Sequence, residues 1–307
     1  LASFEPVDET TFAATIEFPI EAAGAELTQL LNVLFGNISL KPGLRLVRFD
    51  LPDSLSSQFR GPRFGRQGLR DLIGVTDRPL LSTAIKPMGF SAAELGELTY
   101  RFALGGIDLI KDDHGLADQP FCRFADRVAR CGEAVAKANR ETGQRCLYLP
   151  NITGPIDRMG ERARAAKEAG AGGYLISPAL SGFDAMRWIA DDDDLGLPIL
   201  NHPAFQGSFT LHPTAGISHG VLYGQIARLA GADGSIFPNY GGRFSFSPEE
   251  CRDLVEGTTR PMGEIKPIFP VPAGGMSLPR VPDLCKFYGN ESILLIGGDL
   301  HRHGPDL

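Results

Sequence analysis

The chain lacks the features that mark membrane proteins, nucleic-acid-binding proteins and disulfide-stabilised proteins. A membrane span needs roughly 18 consecutive apolar residues, and the 307 residues contain no such run. There is no block of Lys or Arg residues, and the formal net charge of −7 argues against a polyanionic partner. The five cysteines show no CxxC spacing, which indicates reduced thiols. These absences predict a cytoplasmic globular protein with neither nucleic acid nor membrane as a partner.

From residue 79 onward, short apolar segments alternate with amphipathic helical patterns. Helical periodicity is visible in 91–106 and 217–233, and Ser247-Pro248 is typical of a helix start. The apolar segments predict eight strands, at 80–86, 107–111, 145–151, 173–178, 198–202, 235–239, 267–273 and 293–298. Strands that alternate with helices form parallel β/α units, and eight units close a (β/α)8 barrel of the TIM type. We therefore assign residues 69–307 to a barrel and expect its last helices to lie outside the sequence.

Residues 1–68 follow a different pattern, which predicts a small, partial α+β domain of the ferredoxin-like type. Segment 11–20 alternates like a strand, 25–36 has the periodicity of a helix, and 44–52 is typical of another strand. The predicted fold class is thus α/β, with a small α+β domain preceding the barrel.

Polar residues end several of the predicted strands, which is where such barrels carry their catalytic groups. Lys111, Asp112, Asp113 and His114 follow the second strand directly. Side chains alternate along a strand, so Lys111 and Asp113 should project together and Asp112 the opposite way. Taken alone, the four residues are more typical of a solvated loop, and Lys86 after the first strand is more typical of a solvated lysine. The predicted loops at the carboxyl ends of strands also hold every histidine: His114, His202, His212, His219, His301 and His303.

Glycine pairs follow the last three predicted strands. They are Gly241-Gly242, Gly274-Gly275 and Gly297-Gly298. Glycine allows backbone N–H groups to approach a ligand, and the loops after the seventh and eighth strands commonly bind phosphate in this architecture. A single pair is usually a tight turn, but pairs in these particular loops favour a phosphorylated substrate.

Several motifs occur together in an order that resembles the large chains of ribulose-bisphosphate carboxylase, the Rubisco superfamily. They are Gly36-Asn37, GLRLVRFDLP, FRGPRFG, RPLLSTAIKP, GGIDLIKDDHGLADQPF, RLAGAD, PVPAGGM and LLIGG. The resemblance covers nearly the whole chain. It implies Lys86 as general base or proton shuttle, Lys111 (as a carbamate) and Asp113 as Mg²⁺ ligands, and His202 as a substrate contact. It also implies one phosphate at Gly274, Gly275, Gly297 and Gly298, with Gly241 and Gly242 adding to it, and a homodimer in which Asn37 reaches the partner's active site.

The chain departs from the family pattern at positions needed for carbon fixation. His114 stands where the family has a glutamate metal ligand, so it either weakens the Mg²⁺ site, changes the metal or acts in acid–base chemistry. The loop 237–246 has no lysine, Pro203 replaces an arginine that grips a second phosphate, and Ala273 replaces a serine. The pattern resembles Rubisco-like proteins outside the methionine-salvage enolase branch.

The resemblance implies one elementary step, the formation of an enolate beside a divalent cation. We expect a metal-dependent lyase or isomerase acting on a phosphorylated keto-sugar or 3-oxo sugar acid, with decarboxylation favoured. A 1,3-proton shift on a thio-sugar phosphate is the close alternative, and a non-catalytic phosphate sensor or scaffold is another. A Schiff-base aldolase is disfavoured because Lys266 precedes its strand instead of following it.

Overall fold

A computed structural model describes residues 2–244 and 246–304 and contains a small N-terminal region followed by an α/β barrel. Its strands are β1 (Ser3–Pro6), β2 (Phe12–Thr15), β3 (Arg45–Leu46), β4 (Leu80–Ile85), β5 (Leu109–Asp112), β6 (Leu147–Leu149), β7 (Tyr174–Ile176), β8 (Ile199–Asn201), β9 (Gly216–Ile217), β10 (Gly234–Pro238), β11 (Phe269–Ala273) and β12 (Ile293–Leu295). Its α-helices are α1 (Leu27–Phe35), α2 (Asp53–Ser56), α3 (Gly65–Ile73), α4 (Ala92–Leu104), α5 (Phe124–Thr142), α6 (Ile156–Glu168), α7 (Pro178–Ser181), α8 (Phe183–Asp191), α9 (Gly207–Thr210), α10 (Ala227–Leu229), α11 (Pro248–Thr259), α12 (Val281–Tyr288) and α13 (Gly298–Arg302).

The barrel wall consists of two parallel four-stranded sheets, in the orders β12-β4-β5-β6 and β11-β10-β8-β7. A bridge between Asn151 and Leu175 joins β6 to β7. All eight predicted barrel strands are confirmed, although most are shorter than the apolar segments that predicted them. Leu69 and Ile73 of α3 belong to the apolar cluster inside the barrel, so this helix lies against one end of the barrel interior.

The N-terminal region differs from its prediction in two places. Within 11–20, only Phe12–Thr15 forms a strand, which pairs antiparallel with β1. Within 44–52, only Arg45–Leu46 is a strand, and it pairs in parallel with β9, beyond β8, instead of with β1 or β2. The Arg45 guanidinium explains this docking, because it donates to the carbonyls of Thr210 (3.3 Å) and Ala215 (3.2 Å).

The helices predicted at 91–106 and after Ser247 begin where expected. Ser91 and Ser247 each cap a helix through a reciprocal capping box, as the Ser247-Pro248 pattern indicated. The segment predicted as a helix over 217–233 contains a π-helical stretch, Gly220–Ile226, before α10. None of the helices within residues 2–244 and 246–304 combines the length and apolarity needed to cross a membrane.

Candidate active site at the barrel mouth

The alternation of side chains along the barrel strands brings four predicted site residues to one place. Leu80, Leu109 and Leu200 all belong to the apolar cluster that fills the barrel. Every second residue of a strand faces the same side, so Lys86 lies in phase with Leu80, Lys111 and Asp113 with Leu109, and His202 with Leu200. Lys111 lies near the carboxyl end of β5 and the other three positions directly follow the ends of their strands, so the four side chains converge at the mouth.

Contacts at the mouth centre on the Asp113 carboxylate. Its Oδ2 lies 3.6 Å from Lys86 Nζ, its Oδ1 lies 3.4 Å from His114 Nδ1, and Oδ1 also accepts the Gly115 N–H at 2.9 Å. Burial opposes ionisation of Asp113, but the Gly115 N–H and nearby Lys111 outweigh it and lower the pKa from 3.8. Asp113 is therefore an anion that orders two cation-forming groups around it.

Lys111 is the most buried charged group of the cluster, with 4% of its surface exposed. Its Nζ donates to the Asp112 carbonyl at 3.0 Å. Burial lowers the pKa of Lys111 from 10.5 to about 8, against the opposing attraction of Asp113, and Lys86 lowers it further. A larger fraction of neutral amine is thus present near pH 8 than for a solvated lysine, and the neutral amine is the form that reacts with CO₂ to give a carbamate.

The two imidazoles at the mouth are stacked face to face. The ring centroids of His114 and His202 lie 4.6 Å apart, with an angle of 10° between the planes. Burial, followed by the charge of Lys111, lowers the pKa of His202 well below 6.5. Its Nδ1 accepts the Ala204 N–H at 3.1 Å, so the neutral ring carries its proton on Nε2. His202 therefore offers an N–H donor to a ligand at the mouth.

The glycine pairs lie where their loops meet one another. The Arg243 N–H donates to the Gly274 carbonyl at 3.1 Å, which ties the loop after β10 to the loop after β11. A side chain on Gly242 would collide with that same carbonyl, and one on Gly275 would lie 2.8 Å from the Arg243 nitrogen. A Cβ on Gly297 would lie 3.7 Å from Lys86 Nζ, so the loop after β12 borders the Lys86 amine; Gly298 and Gly241 adjoin these contacts in sequence.

Other predicted site residues lie elsewhere. Asn37 is on an exposed turn, Asn37–Leu40, and over the described ranges its side chain forms no hydrogen bond to the residues at the mouth. The prediction that every histidine lies in a mouth loop is wrong for His301, which is within α13 and places Nε2 2.9 Å from the Ala84 carbonyl. It is wrong also for His219, which starts the helical segment that continues into Gly220–Ile226 and packs, buried, edge-on against Phe246.

The comparisons with known proteins agree with this architecture. Residues 65–243 match the model of the ribulose bisphosphate carboxylase large chain catalytic domain. The chain belongs to the Rubisco large-chain family. Over 302 residues it is 40% identical to the ribulose bisphosphate carboxylase-like protein 1 of Rhodopseudomonas palustris, covering 98% of this chain and 80% of that protein. It is also 40% identical to a 5-methylthioribulose-1-phosphate isomerase of Rhodospirillum rubrum, covering 95% of this chain and 76% of that one.

Solved structures in the Rubisco family show the same fold. A Rubisco-like protein from Rhodopseudomonas palustris superposes with a TM-score of 0.89 at 41% identity, over 96% of this chain and 82% of that chain. A dimeric archaeal Rubisco from Hyperthermus butylicus also gives a TM-score of 0.89, at 29% identity, over 99% of this chain and 76% of that chain. These likenesses place the small N-terminal domain and the barrel within the Rubisco fold.

The donor atoms at this Rubisco-family mouth fit a divalent cation only under one condition. Within residues 2–244 and 246–304, no group of three or more His, Cys, Asp or Glu side chains is arranged to hold a metal ion. Asp113 supplies one carboxylate and His114 one imidazole. An ammonium group has no lone pair and Mg²⁺ prefers oxygen to an amine nitrogen, so Lys111 becomes a suitable Mg²⁺ ligand only after conversion to a carbamate. The fit therefore depends on that modification.

Sequence reasoning missed the residues that hold this Rubisco-family site in place. Asp112 points away from Asp113, as predicted, and its carboxylate binds Arg127 Nε at 3.0 Å and the Tyr148 hydroxyl at 2.7 Å. Asn151 holds the loop that carries His114. Arg127 is in the first turn of α5, where the sequence carries no signal for these contacts, whereas Asn151 ends the predicted strand 145–151 and could have been found by the rule that polar residues at strand ends mark the site.

Proposed function

We propose that this chain catalyses proton transfer through an enolate on a phosphorylated ketose and does not fix CO₂. The observation that supports this proposal most directly is the arrangement of four side chains at the mouth. Lys86 Nζ lies 3.6 Å from Asp113 Oδ2, beside the stacked rings of His114 and His202. Moving a proton between neighbouring carbons needs one group to remove it and one to return it, and both must reach the same ligand. The mouth offers an amine and two imidazoles for these tasks.

The local charge supports an anionic substrate. Lys86 and Lys111 lie beside the Asp113 carboxylate. Burial and these two lysines lower the pKa of His114, and Arg243 lies near enough to lower it further. The chain as a whole carries a formal charge of −7, so the excess of cations at the mouth is a local feature. Such a site attracts a phosphate and stabilises the negative charge of an enolate oxygen.

We assign roles as follows. Lys86, with 36% of its side chain exposed, relays the proton between the substrate carbon and solvent. The Nε2–H of His202 donates to the oxygen on which enolate charge develops, and His114 moves the second proton. The backbone of Gly274, Gly275, Gly297 and Gly298, with Gly241 and Gly242 alongside, binds the phosphate. Mg²⁺ held by Asp113 and carbamylated Lys111 would supply positive charge to the enolate, which leaves the His114 imidazole free to move its proton.

Proton shift and decarboxylation both proceed through an enolate, and we place the proton shift first. The 40% identity to a 5-methylthioribulose-1-phosphate isomerase supports this order, which reverses the preference from sequence alone. Decarboxylation of a 3-oxo sugar-acid phosphate is the second candidate, because the same cations would bind a substrate carboxylate. The lysine-free loop 237–246 supports the absence of carbon fixation.

We also propose a homodimer with shared active sites. Asn37 lies on an exposed turn of the N-terminal region and is free of hydrogen bonds to its own chain's mouth over the described ranges. In this arrangement the turn completes the mouth of a second copy. The similarity to a dimeric archaeal Rubisco supports the assembly.

The proposal is tested by product analysis with the purified full chain, MgCl₂ and bicarbonate. Two substrates are compared, 5-methylthioribulose 1-phosphate and a 3-oxo sugar-acid phosphate, by ¹H and ³¹P NMR with trapping of released CO₂. We expect a new phosphorylated ketose from the first and no fixation of labelled CO₂ on ribulose 1,5-bisphosphate. Release of CO₂ from the second substrate alone would identify a decarboxylase. Turnover of neither would leave a phosphate-binding scaffold.

A further inference from the structure

Asn151 joins three strands at the mouth of the barrel. It lies two residues beyond the end of β6 and is 3% exposed. Its neighbours tie β6 to β7, since Leu175 N–H donates to the Pro150 carbonyl at 2.9 Å and Ile152 N–H donates to the Leu175 carbonyl at 3.1 Å. These hydrogen bonds therefore hold the backbone of Asn151 in place independently of the contacts of its side chain.

Both hydrogens of the Asn151 amide are used on the loop after β5. Nδ2 donates to the His114 carbonyl at 3.0 Å and to the Leu116 carbonyl at 2.9 Å. The amide oxygen accepts the Thr153 N–H at 3.1 Å, which sets the orientation of the amide group. One side chain thus holds the backbone on both sides of Gly115.

The start of the same loop is held by a buried ion pair. Asp112 and Arg127 have no exposed side-chain surface, and the Asp112 carboxylate also accepts the Asn151 N–H at 2.9 Å. Arg127 Nη2 also donates to the Ala117 carbonyl at 2.9 Å. The loop after β5 is consequently held at its start and at its end. The backbone of His114 is therefore fixed, which places the exposed His114 ring against His202.

We propose that Asn151 is a positioning residue that holds His114 in its stacked place against His202. The kinetic part of this inference rests on the proposed function. The structural part does not, because the ring geometry and the loop protection can be measured without any substrate.

The test compares Asn151→Asp with Asn139→Asp. Aspartate keeps the shape of asparagine but loses the N–H donors, so Asn151→Asp sets a carboxylate against two carbonyl oxygens. Asn139 is the matched control, because its amide clamps Cys146 at the other end of β6, donating to the carbonyl and accepting the N–H, both at 2.9 Å. A role limited to stability would make the two variants alike.

Three readouts are taken on the full chain: ring-current shifts of the His114 and His202 ring protons by NMR, hydrogen exchange of residues 115–122, and kinetics. For Asn151→Asp we expect loss of the mutual ring-current shift and at least about tenfold faster exchange of the loop. We also expect kcat to fall at least about tenfold with KM within about threefold. Asn139→Asp should lower the melting temperature and leave the ring shifts and kcat unchanged.

Retained ring shifts and loop protection in Asn151→Asp would overturn the proposal, as would equal effects in the two variants. If Asn151→Asp does not fold, Asn151→Ser, which keeps one donor, replaces it with the same readouts. If the wild-type chain turns over no candidate substrate, the proposed function fails, while the ring and exchange measurements still decide the role of Asn151.

Discussion

Lys111 and Asp112 are adjacent and almost fully buried, but their charges have different surroundings. The Asp112 carboxylate accepts hydrogen bonds from Arg127, Tyr148 and the Asn151 N–H, whereas among the described residues the Lys111 amine has one hydrogen bond, to a backbone carbonyl. Full satisfaction of a buried charge gives rigidity, and partial satisfaction leaves a group available for chemistry. In our proposal Asp112 therefore supports the site and Lys111 takes part in the reaction.

The support function predicts a large stability loss for Asp112→Asn. This change leaves the Arg127 charge buried without its partner, so we expect the free energy of unfolding to fall by about 3–5 kcal/mol. Asp50→Asn is the control, because its ion pair with Arg48 is exposed (62% and 56%) and is worth about 0–1 kcal/mol. Urea unfolding of both variants measures the difference, and similar losses would contradict a structural role for Asp112.

The residue at position 114 should determine how tightly the site binds Mg²⁺. Replacing it by glutamate adds an oxygen donor, and Mg²⁺ prefers oxygen over nitrogen. We expect His114→Glu to bind Mg²⁺ at least about tenfold more tightly in calorimetry with bicarbonate present. The control is His212→Glu, an exposed position in another loop. Unchanged or weaker binding in His114→Glu would show that Asp113 and Lys111 do not form a metal site with residue 114.

At the scale of elements, Asp233 joins the entry of α3 to the barrel wall. Its carboxylate accepts the N–H groups of Phe64 (2.8 Å), Gly65 (2.7 Å) and Ile199 (2.9 Å). Burial nevertheless dominates these three hydrogen bonds and raises the pKa of Asp233 from 3.8 to about 6. The folded chain therefore keeps a proton here that the unfolded chain has released between about pH 4 and 6.

A raised carboxyl pKa makes the folded state lose stability as pH rises through that window. Asp233→Asn removes this titration, although its NH₂ group opposes at least one of the three N–H donors and destabilises the fold at every pH. The stability advantage of the wild type over the variant should thus shrink by roughly 3 kcal/mol between pH 4 and 7. Urea unfolding across this range measures it, and a constant difference would contradict the raised pKa.

Sequence patterns predicted the barrel elements well and the N-terminal strands poorly. A short continuous apolar run marks a barrel strand because both of its faces are buried. Segment 44–52 is also typical of a strand in sequence, but only Arg45–Leu46 forms one, since its partner β9 is a short piece more than 160 residues away. Such pairing depends on the Arg45 contacts with distant carbonyls, and local sequence does not contain them.

For the whole molecule, strand alternation was enough to predict that Lys111 and Asp113 project together, whereas the residues alone favoured a solvated Lys86 and the approach of its amine to Asp113 is seen only in the structure. The stacking of His114 on His202 was not predictable, because it depends on the Asn151 clamp between loops distant in sequence. The contacts of Asn37 involve a second copy in our proposal, so neither the sequence nor a single chain tests them.

The shared-site dimer predicts complementation between two inactive variants. Asn37→Ala and Lys86→Met damage the same site from different chains, so a mixed dimer contains one site with both changes and one intact site. Coexpression should restore up to about a quarter of wild-type activity. Each variant alone should stay inactive. Absence of restored activity, or a monomer in light scattering, would contradict the shared site.

The most direct test of the account is exchange of substrate hydrogen with solvent. The full chain is incubated in D₂O with the phosphorylated ketose, and deuterium on the carbons flanking the ketone is followed by NMR. We predict incorporation by the wild type and by the control Lys137→Met, and a loss of roughly 10²–10⁴-fold in Lys86→Met. No incorporation by the wild type, or an equal rate in Lys86→Met, would contradict the claim that the barrel mouth forms an enolate through Lys86.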